Sequence, residues 1–262
     1  MYHWDPSDYE KNSSAQERAA ESVLSGLKLR GDESILDIGC GDGKVTAKIA
    51  ALVPQGRVTG IDSSPEMIDF ARKRYPSTQF PNLSFDRADA QKLDYHGEFD
   101  LVVSFACLHW IKDHIAVLRG IKQSLKPAGK MVIQCSGKGT GDDIFTLTGE
   151  VIRSDKWSRY FKGYSNPHGI YGADDYHAWL RQIGLDELNV SVNAKDLVLP
   201  GRTGLEGFIR TTWLSLTQRI PDDLKEQFIA EIAGRYLSIR PLEGGLAMVR
   251  MAVLEVEARQ PD

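Results

Sequence analysis

The stretch Ser34-Ile35-Leu36-Asp37-Ile38-Gly39-Cys40-Gly41-Asp42-Gly43 constrains this chain more than any other. Ile35, Leu36 and Ile38 form a short apolar run of the kind found in a strand buried on both faces. Glycines at alternate positions, Gly39, Gly41 and Gly43, follow at once, and residues 44–50 read as the opening of a helix. A strand, a glycine turn and a helix N-terminus together let a ligand approach bare backbone with N–H groups pointing at it. A dinucleotide fingerprint would need glycine or alanine where Lys44 stands, and a phosphate-cradling loop would need Ser or Thr in place of Val45. What remains is a glycine turn led by a carboxylate, Asp37, or a plain glycine-rich connector.

Along the chain, strands and helices alternate. The helix after the glycine loop ends near Pro54, and residues 57–62 form a second strand closing on Asp62. Asp62 lies close to the spacing at which an acidic residue holds a ribose hydroxyl pair in doubly wound folds. Ser63 with Glu66 reads as a capping box, with Pro65 in the first turn. Residues 83–85 and 99–105 are the third and fourth strands, and the latter runs into Cys107-Leu108-His109-Trp110. Leu118, Ile121 and Leu125 mark one helical face, Lys126-Pro127-Ala128-Gly129 a turn, and residues 130–135 a fifth strand. Five strands alternating with helices give the parallel sheet of an α/β fold.

The alternation then breaks. Residues 136–171 carry glycines and Trp157, Tyr160, Phe161, Tyr164 and Tyr171, the pattern of a helical insertion covering a pocket. Residues 172–183 resemble a helix, and 208–216 and 224–236 two more. Strands are expected over 185–199 and 246–256, the latter half buried as in an edge hairpin. Upstream, Ser14 to Glu17 is a capping-box pattern opening a helix through Leu27, and residues 1–13 are an aromatic-rich arm or flap. The expectation is one domain over 1–262: a ligand-binding core to residue 135, a lid over 136–171, and C-terminal helices and edge strands over 172–262.

A net charge of −4 and the lack of a basic stripe argue against a nucleic-acid binder. The start Met1-Tyr2-His3-Trp4 has neither a basic region nor an apolar run, and no stretch reaches the ~20 apolar residues of a membrane helix. Cys40, Cys107 and Cys135 read as reduced core thiols of a cytoplasmic protein. Cys107, His109 and His114 have no zinc-like spacing, so no metal is expected.

Asp37-x-Gly39-x-Gly41-x-Gly43, Asp62, Asp89-Ala90 and Phe99-Asp100-Leu101-Val102-Val103-Ser104 occur in that order. The set resembles the class I S-adenosylmethionine-dependent methyltransferases. Asn12-Ser13-x-x-Gln16, Ser104-Phe105-x-Cys107-Leu108-His109-Trp110, Leu125-Lys126-Pro127 and Lys156-Trp157-Ser158-Arg159-Tyr160 are similar to the carboxylate O-methyltransferases acting on juvenile hormone acid and trans-aconitate. The resemblance implies a Rossmann-like, doubly wound, mostly parallel sheet of seven strands, and S-adenosylmethionine at the carboxyl ends of its first strands. It implies a cofactor site from Asp37, Gly39, Cys40, Gly41, Asp62, Ser63, Met67, Asp89, Ala90, Gln91 and Ser104, with Asp62 on the ribose and Asp89 near the adenine amino group. Met67 equally reads as core filler.

The same resemblance implies a small-molecule acceptor, a carboxylic acid foremost, oriented by Gln16 and Trp110 as side-chain N–H donors. Core packing is the other reading of Trp110, and an exposed helix position that of Gln16. A carboxylate is already ionised at neutral pH and needs no base. A phenol, amine or carbon acceptor would call for one, and His109 is the candidate; otherwise it is a packed spacer. A protein that binds the cofactor without catalysis would carry the same cofactor motifs.

Overall fold

A computed structural model describes residue 20 and residues 22–262. The aromatic arm, the Ser14 cap and Gln16 lie outside the described residues. Seven strands form one sheet: β1 (Ser34–Ile38), β2 (Arg57–Asp62), β3 (Leu83–Arg87), β4 (Phe99–Phe105), β5 (Leu125–Ser136), β6 (Asp186–Leu199) and β7 (Ala247–Arg259). Their order is β3-β2-β1-β4-β5-β7-β6. The first five pair in parallel, whereas β7 runs antiparallel to both neighbours. The order reverses between β1 and β4, which is where open α/β sheets bind ligands.

Side chains alternate across the strands, so each face builds its own core. Ile35, Leu101, Val103 and Val132 meet α1 (Lys44–Leu52) and α2 (Pro65–Arg74) through Ile49, Ile68 and Ala71. On the other face Leu36, Ile38, Val102, Met131 and Ile133 pack on α3 (His114–Ser124) and α5 (Ala173–Ile183) through Leu118, Ile121, Tyr176 and Leu180. Asp100 ties the amino ends of the central strands: its Oδ2 accepts from the Ser34 amide at 2.9 Å and from Lys126 Nζ at 2.7 Å.

Several expected boundaries shift. The cap of α2 is Ser64, whose Oγ accepts from the Met67 amide at 3.2 Å, because Ser63 still belongs to the turn that leaves β2. Leu125 opens β5 instead of closing α3. The Lys126–Gly129 turn is an irregularity within β5, where Phe99 faces Leu125 but Leu101 faces Lys130, with Ala128 at φ 57°. The helix expected over 208–216 breaks at Trp213 into α6 (Gly201–Thr212) and α7 (Leu214–Thr217). β7 is not an edge: it lies between β5 and β6, and β6 is the edge strand.

The insertion after β5 contains α4 (Asp142–Arg153) and a short turn over Ser158–Phe161. These pack on α6, α7 and α8 (Asp222–Ile239) to form a third core. Two separated stretches of chain therefore make one helical cap. β6 and β7 carry it: they stay paired from Ala194 to Leu199 against Ala247 to Ala252, beyond the last β5 pairing at Ser136 and Val253. Trp157 is buried here, its Nε1 donating to Glu231 Oε2 at 3.0 Å, with the Phe228 ring 5.0 Å away, edge-on. Removing a buried aromatic ring costs about 3–5 kcal/mol. Phe228→Ala should lower the unfolding free energy by about that amount in urea titration, and an unchanged midpoint would show that the cap contributes nothing to stability.

Candidate functional site

The glycine loop closes over the carboxyl end of β1 because two backbone amides, Gly39 and Cys40, donate to the Ile61 carbonyl at 2.8 and 3.0 Å. Gly39, Gly41 and Gly43 all have positive φ, a region that side chains with a Cβ enter at a cost. A Cβ on Gly39 would lie 2.2 Å from Cys107 Sγ, so the space left by this glycine is filled by the turn after β4. Gly43 caps α1 and packs against Phe85.

Carboxylates gather around this loop. Asp37 is 2% exposed and its Oδ2 accepts from Thr46 Oγ1 at 2.7 Å. Burial pushes its pKa up to about 7, against the pull of the Thr46 bond and with help from the nearby Asp62 charge. Asp62 accepts from the Gly41 amide (3.1 Å) with one oxygen and from the Ser64 amide (2.8 Å) with the other. Its pKa is also raised by burial, opposed by the Ser64, Gly41 and Ser63 amides. Asp42 is buried as well, with Lys44 Nζ at 3.7 Å from its Oδ2. Such a pocket suits a cation near Asp37, and each Asp62 oxygen keeps a lone pair for a further donor.

The turn after β4 supplies the opposite wall. Ala106 adopts φ 52°, uncommon without glycine, with its amide bonded to the Gln134 carbonyl at 2.8 Å. A single turn over Leu108–Trp110 follows, anchored from behind by His114. His114 Nε2 is 2.8 Å from the Leu108 carbonyl, so Nε2 carries the hydrogen and the neutral ring accepts from Tyr176 Oη through Nδ1 at 2.7 Å. His114 is therefore a buried strut.

A strap from the insertion crosses this turn. The Gly169 amide donates to the His109 carbonyl at 3.0 Å, and His168 Nδ1 lies 3.3 Å from the same oxygen. Tyr171 Oη donates to the Lys112 carbonyl at 2.6 Å. Only glycine fits at 169, since a Cβ there would meet the Ile111 carbonyl at 1.9 Å. The His168 ring packs on Trp110 at 4.5 Å and is nearly parallel to His109 at 6.3 Å. His109 Nδ1 is sealed without a hydrogen-bond partner, and burial, with the His168 and His114 rings nearby, takes its pKa down to about 3.

The fold thus brings Asp37, Gly39, Cys40, Gly41, Asp62 and the His109-Trp110 pair to one end of the sheet. Asp89 and Gln91 are exposed at the carboxyl end of β3, where Asp89 Oδ1 accepts from the Gln91 amide at 3.0 Å, and Ala90 is buried beside them. Ser63 is exposed on the turn after Asp62. Two further expected contacts are buried. Ser104 is fully buried with its hydroxyl donated to the Ile38 carbonyl at 2.8 Å, which makes it a tie between β1 and β4. Met67 is 3% exposed, as core filler would be. Cys40 and Cys107 are unreactive in character, both thiols pushed up mainly by burial. His168 was invisible in the sequence, because nothing local links it to a turn 59 residues upstream. Among the described residues there is no metal-ligating cluster and no helix long and apolar enough to cross a membrane. A surface groove of about 550 Å³ near Arg119 and Gln260 lies by the amino ends of the strands, away from this site.

Residues 35–129 match the methyltransferase domain family. A putative methyltransferase 235L of Invertebrate iridescent virus 6 is 30% identical over 90% of this chain and 86% of its own length. A trans-aconitate 2-methyltransferase of Shigella flexneri serotype 5b is 35% identical over 71% of this chain and 69% of its own. Among solved structures, a putative methyltransferase of Bacillus halodurans aligns over 94% of this chain and 100% of its own, with TM-score 0.65 and 16% identity. Phosphoethanolamine N-methyltransferase 2 of Haemonchus contortus, in complex with S-adenosyl-L-methionine, aligns over 98% of this chain and 57% of its own, with TM-score 0.62 and 18% identity. With its glycine loop, its acidic strand ends and these relatives together, the chain belongs to the class I S-adenosylmethionine-dependent methyltransferases and is an enzyme that uses that cofactor.

Proposed function

We propose that the enzyme methylates a carboxylate oxygen of a small acid, giving a methyl ester. The observation that carries this reading is the state of His109. With Nδ1 sealed and burial weakening the ring as a base, His109 is poorly suited to draw a proton from a phenol or ammonium at neutral pH. An acceptor that is already ionised makes no such demand. Relatives named trans-aconitate 2-methyltransferases support the same acceptor class.

The residues present fit the cofactor. Asp62 would hold the two ribose hydroxyls through the lone pairs its Gly41 and Ser64 bonds leave over. Asp37, buried with no cation paired to it among the described residues, would face the positively charged methionine end. Asp89, Ala90 and Gln91 would frame the adenine, and Ser63 would border the ribose. Bound there, S-adenosylmethionine supplies a methyl group made electrophilic by its sulfonium. The protein's part is alignment: Trp110, with Gln16 from the N-terminal segment, would orient one carboxylate oxygen, and the helical cap would exclude water. Orientation of this kind can be worth an effective molarity of ~10⁵ M or more.

The test of the reading is turnover of labelled cofactor with a mixed pool of small carboxylic acids. A labelled product hydrolysed by mild base supports it; label in a base-stable product would sink it. His109→Asn should retain activity within about tenfold, the usual worth of one hydrogen bond. Loss of a base would instead show as ~10²–10⁴-fold in kcat.

Two measurements check the cofactor roles. Asp62→Ala should weaken S-adenosylmethionine binding by at least tenfold in calorimetry, since hydrogen bonds to a charged group contribute about 1.5–3 kcal/mol each. Asp37 adds a pH signature. In the free protein it holds its proton up to about pH 7, and a bound cation favours the ionised form, so binding expels that proton. Affinity should therefore fall on acidification below that pH, by up to about tenfold per unit. In Asp37→Asn the slope should vanish, and a slope that survives the substitution would remove Asp37 from the cationic end.

A further inference from the structure

His168 stands in the strap that crosses the β4 turn, and each of its polar atoms can be accounted for. The His109 carbonyl can only accept, so the 3.3 Å contact fixes a hydrogen on His168 Nδ1. The His168 amide is bonded to Asn166 Oδ1 at 3.1 Å, which holds the residue at the start of the strap. The ring packs against Trp110 at a tilt of 51°, 4.5 Å between centroids. Among the described residues nothing bonds Nε2. His168 is half-buried, so Nε2 belongs to a ring fixed by one hydrogen bond and one aromatic contact beside the residue proposed to orient the acceptor.

We propose that His168 is an acceptor-contacting residue: as imidazolium, its Nε2–H donates to the carboxylate oxygen that Trp110 leaves unbound. This rests on the carboxylate reading above. With Nδ1–H already committed, the neutral ring presents a lone pair at Nε2, which a carboxylate repels. Binding the anion therefore requires a proton from solvent on Nε2, and the charge-assisted hydrogen bond so formed is of the strong kind. Burial lowers the pKa of the free ring, opposed by the His109 carbonyl, so the free residue is neutral near pH 7 and takes up its proton with the acceptor. The titratable group facing it is His109, itself neutral; its other neighbours, Trp110 and the Asn166 amide oxygen, carry no charge. The same feature explains a site with one inert and one responsive histidine: His109 gives its backbone to the strap, and His168 gives its side chain to the acceptor.

The sign follows from linkage. A form that binds only when protonated binds tightest below the free pKa and weakens as pH rises, by up to about tenfold per unit. The acceptor KM of the wild-type enzyme should therefore climb from about pH 6 to about pH 8 while kcat stays level, since the step itself needs no proton transfer. Two replacements separate contact from support. His168→Asn keeps a side-chain amide that can reach the His109 carbonyl but has no group at the ε position; its acceptor KM should rise at least tenfold. His168→Gln places a non-titrating N–H at the ε position; its KM should stay near the wild-type low-pH value and lose its pH dependence. A residue that only braces the strap would give the reverse order, with Asn mild and Gln damaging, and that result overturns the proposal. Cofactor affinity and thermal midpoint, unchanged in both variants, establish that the fold is intact. If esters form but the KM slope survives in His168→Gln, the contact is refuted and the carboxylate reading stands. If no ester forms from any acid, both are refuted together; if esters form but KM, at saturating cofactor, falls with rising pH, only the contact is refuted.

Discussion

The architecture of the site depends on one steric constraint, the missing side chain at Gly39. Cys107 fills the place a Cβ would take, so the loop after β1 and the turn after β4 lie in direct contact. That contact fixes how sharply the chain must bend after Phe105, and the bend falls on Ala106 in the left-handed region. Everything downstream inherits this geometry: the Leu108–Trp110 turn, the His114 strut beneath it and the strap above it. A larger residue at 39 would displace the wall that carries Trp110, not merely crowd the cofactor. The conformational cost at Ala106, of order 1–3 kcal/mol, persists because the neighbouring contacts leave the chain no alternative.

The electrostatics follow the same economy of placement. A sheet whose first strands end in carboxylates concentrates negative charge where burial is deepest, and Asp37 answers by holding its proton near neutrality. Asp62 is steadied by backbone amides from the loop and from the start of α2. A cation entering this end relieves a strain already present in the free protein. Across from these carboxylates, burial holds His109, the histidine nearest β4, far below the usual histidine range.

Much of this was legible in the sequence because it is local. The apolar run at 35–38, the glycine spacing and the acidic ends of β1 and β2 each declare themselves within a few residues. The C-terminal third was harder for a physical reason: α6 and α8 bury their apolar faces against α4, Trp157 and the far ends of β6 and β7, beyond the parallel part of the sheet. Their partners are set by contacts some 75 residues apart, which no local pattern encodes. Ser104 is a different case. Its place at the end of a motif suggested a ligand contact, whereas a hydroxyl buried between two strands serves the Ile38 carbonyl. His168 needed the tertiary fold, since its meaning lies wholly in the turn it crosses.

The edge of the sheet carries a different consequence. β6 is fourteen residues long and mostly exposed, an extended row of backbone groups that another strand could extend. Asp186, Glu187, Lys195 and Asp196 lie along it, and Asp186 and Asp196 engage Arg259 and Arg250 on β7. An incoming strand would have to strip water from these charges at both ends of the ladder before gaining any hydrogen bonds. The stalk that bears the cap is thereby also the strand that terminates the sheet, and its charge pattern guards the protein against runaway strand addition.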